Sequence, residues 1–430
     1  MNPALGPYIK QSYAKSDLVA LKALLDENGT LEFARLSNGL FPAAAVQSET
    51  AYTGYASIWL RDNTHIANVH DLVGKTEIAV QAVQTLLSYM KKQSFRFERM
   101  IRGETKPDSI MDRPHVRFDG NTLDDIDQTW AHAQNDALGY FLWLYFKLAR
   151  RGAITPTPAD LKVLALFPLY FEAIRYWQDE DSGHWEETRK VSASSMGIVV
   201  AGLRQMKHFW ASAVTANSYA FNGRAVTVQL LDALIDKGMS ELAKILPSEC
   251  IQQDPKKARA YDGALLFLIY PAEVVDEAAA DQILERVLTH LKGDFGVRRY
   301  IGDSFWSPNY KKTLSEDSRT ADFSSDLSQR DALLPKGQEA QWCIFDPIIS
   351  TIYGRRYVAT RKPEYLELQT TYFNRSLEQI TAATALLPAH RCPELYYVED
   401  GQYVPGDATP LLWTQANLLT ALHAMEQSVV

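Results

Sequence analysis

The chain of 430 residues carries 44 Lys and Arg against 52 Asp and Glu, a formal net charge of -8, with 46% hydrophobic and 22% charged residues. That balance belongs to ordinary soluble globular proteins, and the acidic excess excludes the basic stripe a nucleic-acid partner would require. No run approaches the roughly 18 uninterrupted apolar residues of a membrane helix, and "MNPALGPYIKQSYAKSD" has no basic stretch leading into an apolar one, so neither a span nor a secretory leader is expected and the cytoplasm is the expected compartment.

Taken in chain order, apolar residues recur at helical spacing near residues 14 to 27, in a short stretch near Arg61, and in "TEIAVQAVQTLLSYMKK" from Thr76, where Ala79, Ala82, Val83, Leu86, Leu87 and Met90 share one stripe. The same period predicts helices near 128 to 150, 158 to 177, 192 to 213, 226 to 246, 260 to 270, 276 to 292, 338 to 355, 364 to 386 and 410 to 426. Strand-like alternation is confined to short pieces such as "GVRRYI" from Gly296 and "ELYYVED" from Glu394. An all-α architecture is therefore expected. "GYFLWLYF" from Gly139 and "GALLFLIY" from Gly263 are apolar nearly all round, so those helices must be buried on more than one side, as an inner layer would be.

No Ser/Gly-rich or Pro-rich linker and no fixed repeat divides the chain, which predicts one domain over residues 1-430. The least regular stretches, 95-127 and 303-337, are expected to be functional loops gathered at one mouth. The cysteines Cys250, Cys343 and Cys392 lack metal-ligand spacing and are expected to be reduced packing residues; no metal or other cofactor is expected. "VGKT" from Val73 resembles the end of a phosphate loop, but Val69 stands where that loop needs its first glycine. Zinc-protease and esterase-elbow motifs are absent from the sequence.

What remains is a set of aromatic-plus-charge clusters: "WLRDN" (59 to 63), "DQTWAHAQNDALGYFLW" (127 to 143), "GHWEE" (183 to 187), "GVRRYIGDSFW" (296 to 306), "EAQWCIFD" (339 to 346) and "PELYYVEDGQYVPGDATPLLWTQ" (393 to 415). Any one of them fits a core tryptophan beside a capped helix end. Six together suit a sugar, which offers a C-H face to a flat ring and a rim of hydroxyls to Arg, Asp and Glu.

These clusters resemble those of glycoside hydrolase family 15, the glucoamylases and their relatives, and more closely those of the glucoamylase-like domain in the α and β regulatory subunits of phosphorylase kinase. "WLRD" resembles the element that grips a non-reducing-end sugar, "HVRFDG" followed by "DDIDQTWAHAQNDALG" the kinase-subunit pattern, and "PELYYV" with a later Trp-x-Gln the carboxyl-terminal signature. The resemblance spans roughly residues 40 to 425 and implies an (α/α)6 barrel with its site where the inner helices begin. It also implies roles: Glu186 as general acid, Glu394 as general base, and Glu187 on sugar hydroxyls, with a helix cap as the alternative for Glu187. Arg61 and Asp62 would hold the terminal sugar, Trp59, Trp130 and Trp185 would line the pocket, and Arg299, or the adjacent Arg298, would face the reaction centre. His132, Gln134 and Asp136 would belong either to the sugar site or to a structural network behind it.

Adjacent Glu186 and Glu187 cannot straddle a glycosidic bond, because an inverting hydrolase needs its carboxyls about 6.5 to 9.5 Å apart with a water between. A partner distant in sequence is required. The expected activity is that of an exo-acting, inverting α-glucosidase on soluble α-glucans or oligosaccharides; the amino-terminal β-sandwich, starch-binding and calmodulin-responsive segments of some relatives are not found, which argues against raw starch. The alternatives are a catalytically idle glucan-binding domain, or a trehalase or α-1,6-glucosidase on the same barrel.

Overall fold

In the computed structural model, which describes residues 2–45, 53–214, 219–319, 322–384 and 387–429, the predicted stripes pair off as an outer and an inner helix six times over. The outer helices are α1 (Lys15–Glu27), α3 (Thr76–Lys92), α5 (Leu166–Ile174), α7 (Val228–Ile245), α9 (Glu277–His290) and α11 (Pro363–Glu378). The inner ones are α2 (Leu60–Leu72), α4 (Asn135–Arg150), α6 (Ala193–Ala213), α8 (Leu266–Ile269), α10 (Phe345–Thr360) and α12 (Leu412–Ser428). Neighbouring inner helices pack in a closed ring, α2 on α4, α4 on α6, and so on until α12 returns to α2. This is an (α/α)6 barrel.

Burial separates the two layers. α1 buries only Leu18, Leu21 and Leu25, a single stripe, whereas every residue of α2 from Leu60 to Asp71 is buried and α4 is buried from Asn135 to Phe146. The all-round apolar character of "GYFLWLYF" thus places α4 in the inner ring. Its contact with α6 is closer than side chains permit. A Cβ on Gly139 would lie 2.8 Å from the Val199 nitrogen, and one on Gly202 would lie 2.7 Å from the Gly139 carbonyl oxygen. Gly139→Ala is therefore expected to cost about 1 to 3 kcal/mol, seen as a lower urea midpoint with an unchanged slope.

Several elements are shorter than the periodicity predicts, for identifiable reasons. The run from 128 becomes helical only at Asn135, the preceding segment having non-helical backbone; the run from 338 starts at Phe345, after strand pairing of Gln341–Trp342. The run 158 to 177 splits into Pro158–Leu164 and α5, whose Pro168 sits in the first turn, where a missing N–H is tolerated. The run to 386 ends as a helix at Glu378, and residues 385 and 386 lie outside the described residues. The stretch 95-127 is less irregular than expected, since it holds most of a helix, Ser94–Ile101, packed on α5.

Two small sheets brace one end of the barrel. β1 (Ile58–Trp59) runs antiparallel to β2 (Arg117–Phe118) with Trp59 opposite Arg117. β3 (Gln341–Trp342) pairs with β4 (Leu395–Glu399), Trp342 opposite Leu395, and β4 turns back into β5 (Gln402–Pro405). The predicted strand at Gly296 is reduced to isolated bridges from Val297 to Lys292 and Trp342. The three cysteines are buried and unpaired. Among the described residues no helix is long and apolar enough to cross a membrane.

Candidate active site

The segments entering the inner helices converge on a cavity of about 900 Å³, counted out to its open mouth. Trp59, Arg61 and Asp62 enter at the start of α2, Trp130 ahead of α4, His184, Trp185 and Glu186 ahead of α6, Trp342 ahead of α10, and Glu394, Leu411 and Trp413 at the approach to α12. Inner helices therefore turn their amino-terminal ends toward the cavity, where the backbone dipole favours negative charge.

Arg61 organises one wall. Its Nη1 donates to Gln134 Oε1 at 3.1 Å and Asp136 Oδ2 at 2.8 Å, and its Nη2 donates to Glu186 Oε1 at 3.0 Å. Glu186 sits in the left-handed backbone region, φ 57, at the end of the 3-10 turn Gly183–Trp185. A non-glycine residue there carries strain that its surroundings must hold. Burial lifts its carboxyl above the ordinary value, and the charges of Arg61 and Arg117 pull it back only in part. Asp62 beside it is pushed up to about 7 by burial, against the opposing charge of Arg61. Trp59 and Trp130 meet edge to face at 6.1 Å, with the Arg117 guanidinium 4.8 Å from one ring and 3.9 Å from the other.

Glu394 arrives from a different part of the chain. Its backbone N–H donates to the Ala408 carbonyl and its own carbonyl accepts from Cys343, which fixes it at the entry to β4. The Tyr55 hydroxyl donates to Oε1 at 2.8 Å, while Oε2 is buried without a partner. Burial pushes this carboxyl up to about 8, the Tyr55 hydrogen bond and the charge of Arg299 opposing.

Glu187 departs from expectation. It is not part of the cavity lining; its Oε1 accepts from Arg299 at 2.7 Å and Arg330 at 2.6 Å, and its Oε2 accepts from the Tyr300 hydroxyl at 2.5 Å. Burial alone would raise its carboxyl, but Arg299, Arg330 and Arg259 hold it down to about 2. It caps no helix, and both its oxygens are turned to the arginines and the tyrosine behind the wall rather than into the cavity. Arg299 is also held by Asp303 through Nε and Nη2, and its guanidinium lies 4.6 Å from the Trp342 ring centre. Arg298 turns away to Glu339, so of the two adjacent arginines it is Arg299 that lines the cavity.

His132, Gln134 and Asp136 likewise stand behind the lining. Gln134 and Asp136 hold Arg61, and His132 stacks on His115 at 3.7 Å. Of the residues expected to touch sugar, Trp59, Arg61, Asp62, Trp130, Trp185, Glu186, Arg299 and Glu394 line the cavity together.

Other lining residues were not singled out from the sequence. Tyr55 had only its spacing four residues before Trp59 as a signal, and Trp342 and Trp413 lie inside noted clusters without an assigned role. The 303-337 stretch contributes Phe305, Asp322, Phe323, Leu327 and Arg330. The 95-127 stretch contributes no lining residue and instead backs the pocket through Arg117.

Six helix pairs around a mouth lined by buried carboxyls and tryptophans are the architecture of the six-hairpin glycosidases. Within that class the chain belongs to glycosyl hydrolases family 15, whose model matches residues 19–417. It is 25% identical over 403 residues, 87% of its length, to probable phosphorylase b kinase regulatory subunit alpha of Caenorhabditis elegans, and covers 31% of that relative. It is 30% identical over 195 residues to the uncharacterized lipoprotein YgeQ of Escherichia coli, 40% of this chain and 74% of the other. Among solved structures, a wild-type glycosidase matches with TM-score 0.67 at 17% identity over 97% of this chain and 100% of the other. The glucoamylase from Saccharomycopsis fibuligera matches with TM-score 0.58 at 12% identity over 98% and 97%. These structural likenesses carry the fold.

Proposed function

We propose that the protein is an exo-acting α-glucosidase that releases glucose from the non-reducing ends of soluble α-glucans or oligosaccharides with inversion. The observation that carries this reading is one cavity that gathers the carboxyls of Asp62, Glu186 and Glu394 and the guanidinium of Arg61 among the rings of Trp59, Trp130, Trp185, Trp342 and Trp413. Flat apolar rings beside charged hydrogen-bonding groups match a polyhydroxylated ring with an apolar face.

In this reading Arg61 and Asp62 bind the terminal sugar and close one end of the pocket, which makes the action exo. Glu186 gives its proton to the glycosidic oxygen as the C–O bond breaks. Glu394 takes a proton from the water that attacks the anomeric carbon from the opposite face, so the product is β-glucose. The raised pKa of Glu186 suits a proton donor. A screen against maltose, isomaltose, trehalose and maltodextrins, reading free glucose and its fresh anomer, tests the proposal: β-glucose from at least one is expected, and release of the α anomer sinks the inverting mechanism.

A second reading is a glucan-binding domain without turnover. A Glu394 carboxyl pushed up to about 8 is protonated at neutral pH in the empty cavity, and a neutral base binds sugar without activating water. Calorimetric binding of maltodextrin with no glucose released from any of the four substrates would select it.

A further inference from the structure

Glu186 has a left-handed backbone whose own hydrogen bonds are long: its N–H reaches Gly183 O at 3.3 Å, and the next N–H, of Glu187, reaches Ser182 O at 3.3 Å, while its carboxyl takes Arg61 at 3.0 Å. The two side chains just before it are held from outside. His184 is pinned at both ring nitrogens, Nδ1 to Ser194 Oγ at 3.2 Å and Nε2 to the Tyr140 hydroxyl at 3.1 Å, with its ring parallel to Phe267. Ser194 is gripped in turn by Glu249, whose Oε2 accepts from the Ser194 backbone N–H at 3.0 Å while Oε1 lies 2.7 Å from Oγ. Trp185 donates its indole N–H to Asp262 Oδ1 at 2.9 Å.

Resting on the hydrolytic reading above, we infer that Glu249 and Asp262 are positioning residues for the general acid. Both lie on the segment between α7 and α8, and together they clamp the turn that presents Glu186. Neither they nor Ser194 line the cavity, so they act without touching substrate. All three are buried, Glu249 at 3%, Asp262 at 1% and Ser194 at 1% exposure. A polar chain of that depth is costly unless each member is satisfied.

The Ser194 hydroxyl and the Ser194 backbone N–H both donate to Glu249, at 2.7 and 3.0 Å. Burial raises the Glu249 carboxyl and lowers His184 to about 4, so at neutral pH the imidazole is neutral. A glutamine at 249 would keep the backbone N–H bond through its oxygen and, with the Ser194 hydroxyl turned, the bond to Oγ through its amide N–H2. A leucine would reproduce neither.

The test compares wild type, Glu249→Leu, Ser194→Ala and Glu249→Gln on the disaccharide that wild type cleaves among maltose, isomaltose and trehalose, and on α-glucosyl fluoride, whose leaving group needs no proton. Misplacing the acid is expected to lower kcat on the disaccharide about tenfold to a hundredfold in Glu249→Leu and Ser194→Ala, to leave the fluoride rate within about threefold, and to be reversed in Glu249→Gln. Equal losses on both substrates, or full disaccharide activity in both disruptive variants, overturns the inference while the hydrolytic reading stands. Should Glu249→Leu fail to fold, the smaller Ser194→Ala change decides alone. Wild-type silence on disaccharides and fluoride overturns both.

Discussion

Glu186→Gln is expected to lose roughly three orders of magnitude in kcat on an oligosaccharide while retaining hydrolysis of α-glucosyl fluoride, and Glu394→Gln is expected to lose activity on both. The asymmetry follows from the roles. A poor leaving group needs the proton that Glu186 supplies; fluoride leaves unaided, but the attacking water needs a base in either case. A Glu394→Gln variant that turns over the fluoride at the wild-type rate would exclude Glu394 as the base. Folding provides an internal control with a defined sign. The Glu394 carboxyl stands at about 8 when folded and returns to its ordinary value of 4.5 when unfolded. Its favourable contribution is complete below about 4.5 and is lost as pH rises through about 8, because the unfolded chain releases a proton that the folded chain must keep or give up at a cost. Glu394→Gln should then raise the melting temperature at pH 8 and leave it unchanged at pH 4. An inactive variant that is also less stable at pH 8 would mean that the carboxylate holds the site together rather than serving its chemistry.

Much of the barrel was legible because its determinants are local. A stripe every 3.6 residues is a property of a short window, and "TEIAVQAVQTLLSYMKK" gives Thr76–Lys92 without reference to anything else. The clusters were legible for a related reason: the residues that open an inner helix are consecutive, so Trp59, Arg61 and Asp62 arrive together. Contacts between distant segments left no such trace. Nothing in "YTGYASIW" announces that Tyr55 donates to a carboxylate 339 positions away. Phe323, Leu327 and Arg330 belong to a stretch without apolar period, where only the fold decides which side chains turn inward. The pair Glu186 and Glu187 illustrates the limit best. Adjacent in sequence and alike in chemistry, they part at the left-handed backbone of Glu186, one carboxyl toward the cavity and the other into a nest of arginines.

That nest sets the second large expectation. Glu187→Gln is nearly isosteric, yet it removes the charge shared by Arg299 and Arg330, both buried, with Arg259 3.8 Å from Oε2. Breaking a buried ion pair by removing one partner costs about 3 to 5 kcal/mol, because the remaining charge keeps its desolvation penalty. The chemical denaturation midpoint should fall accordingly. The pH dependence distinguishes this cause from a packing defect. A carboxyl held at about 2 when folded and 4.5 when unfolded stabilises fully above 4.5, and that contribution fades as pH falls toward 2. The gap between wild type and Glu187→Gln should accordingly be widest from pH 5 upward and close at lower pH, whereas a packing defect would leave it constant. Activity is expected to fall as well, since Arg299 lines the cavity and Arg330 anchors Ser328–Asp331 through Glu187 and Ser304. A variant as stable as wild type at pH 7 would show that Asp303, which already makes two bonds to Arg299, neutralises the cluster without Glu187.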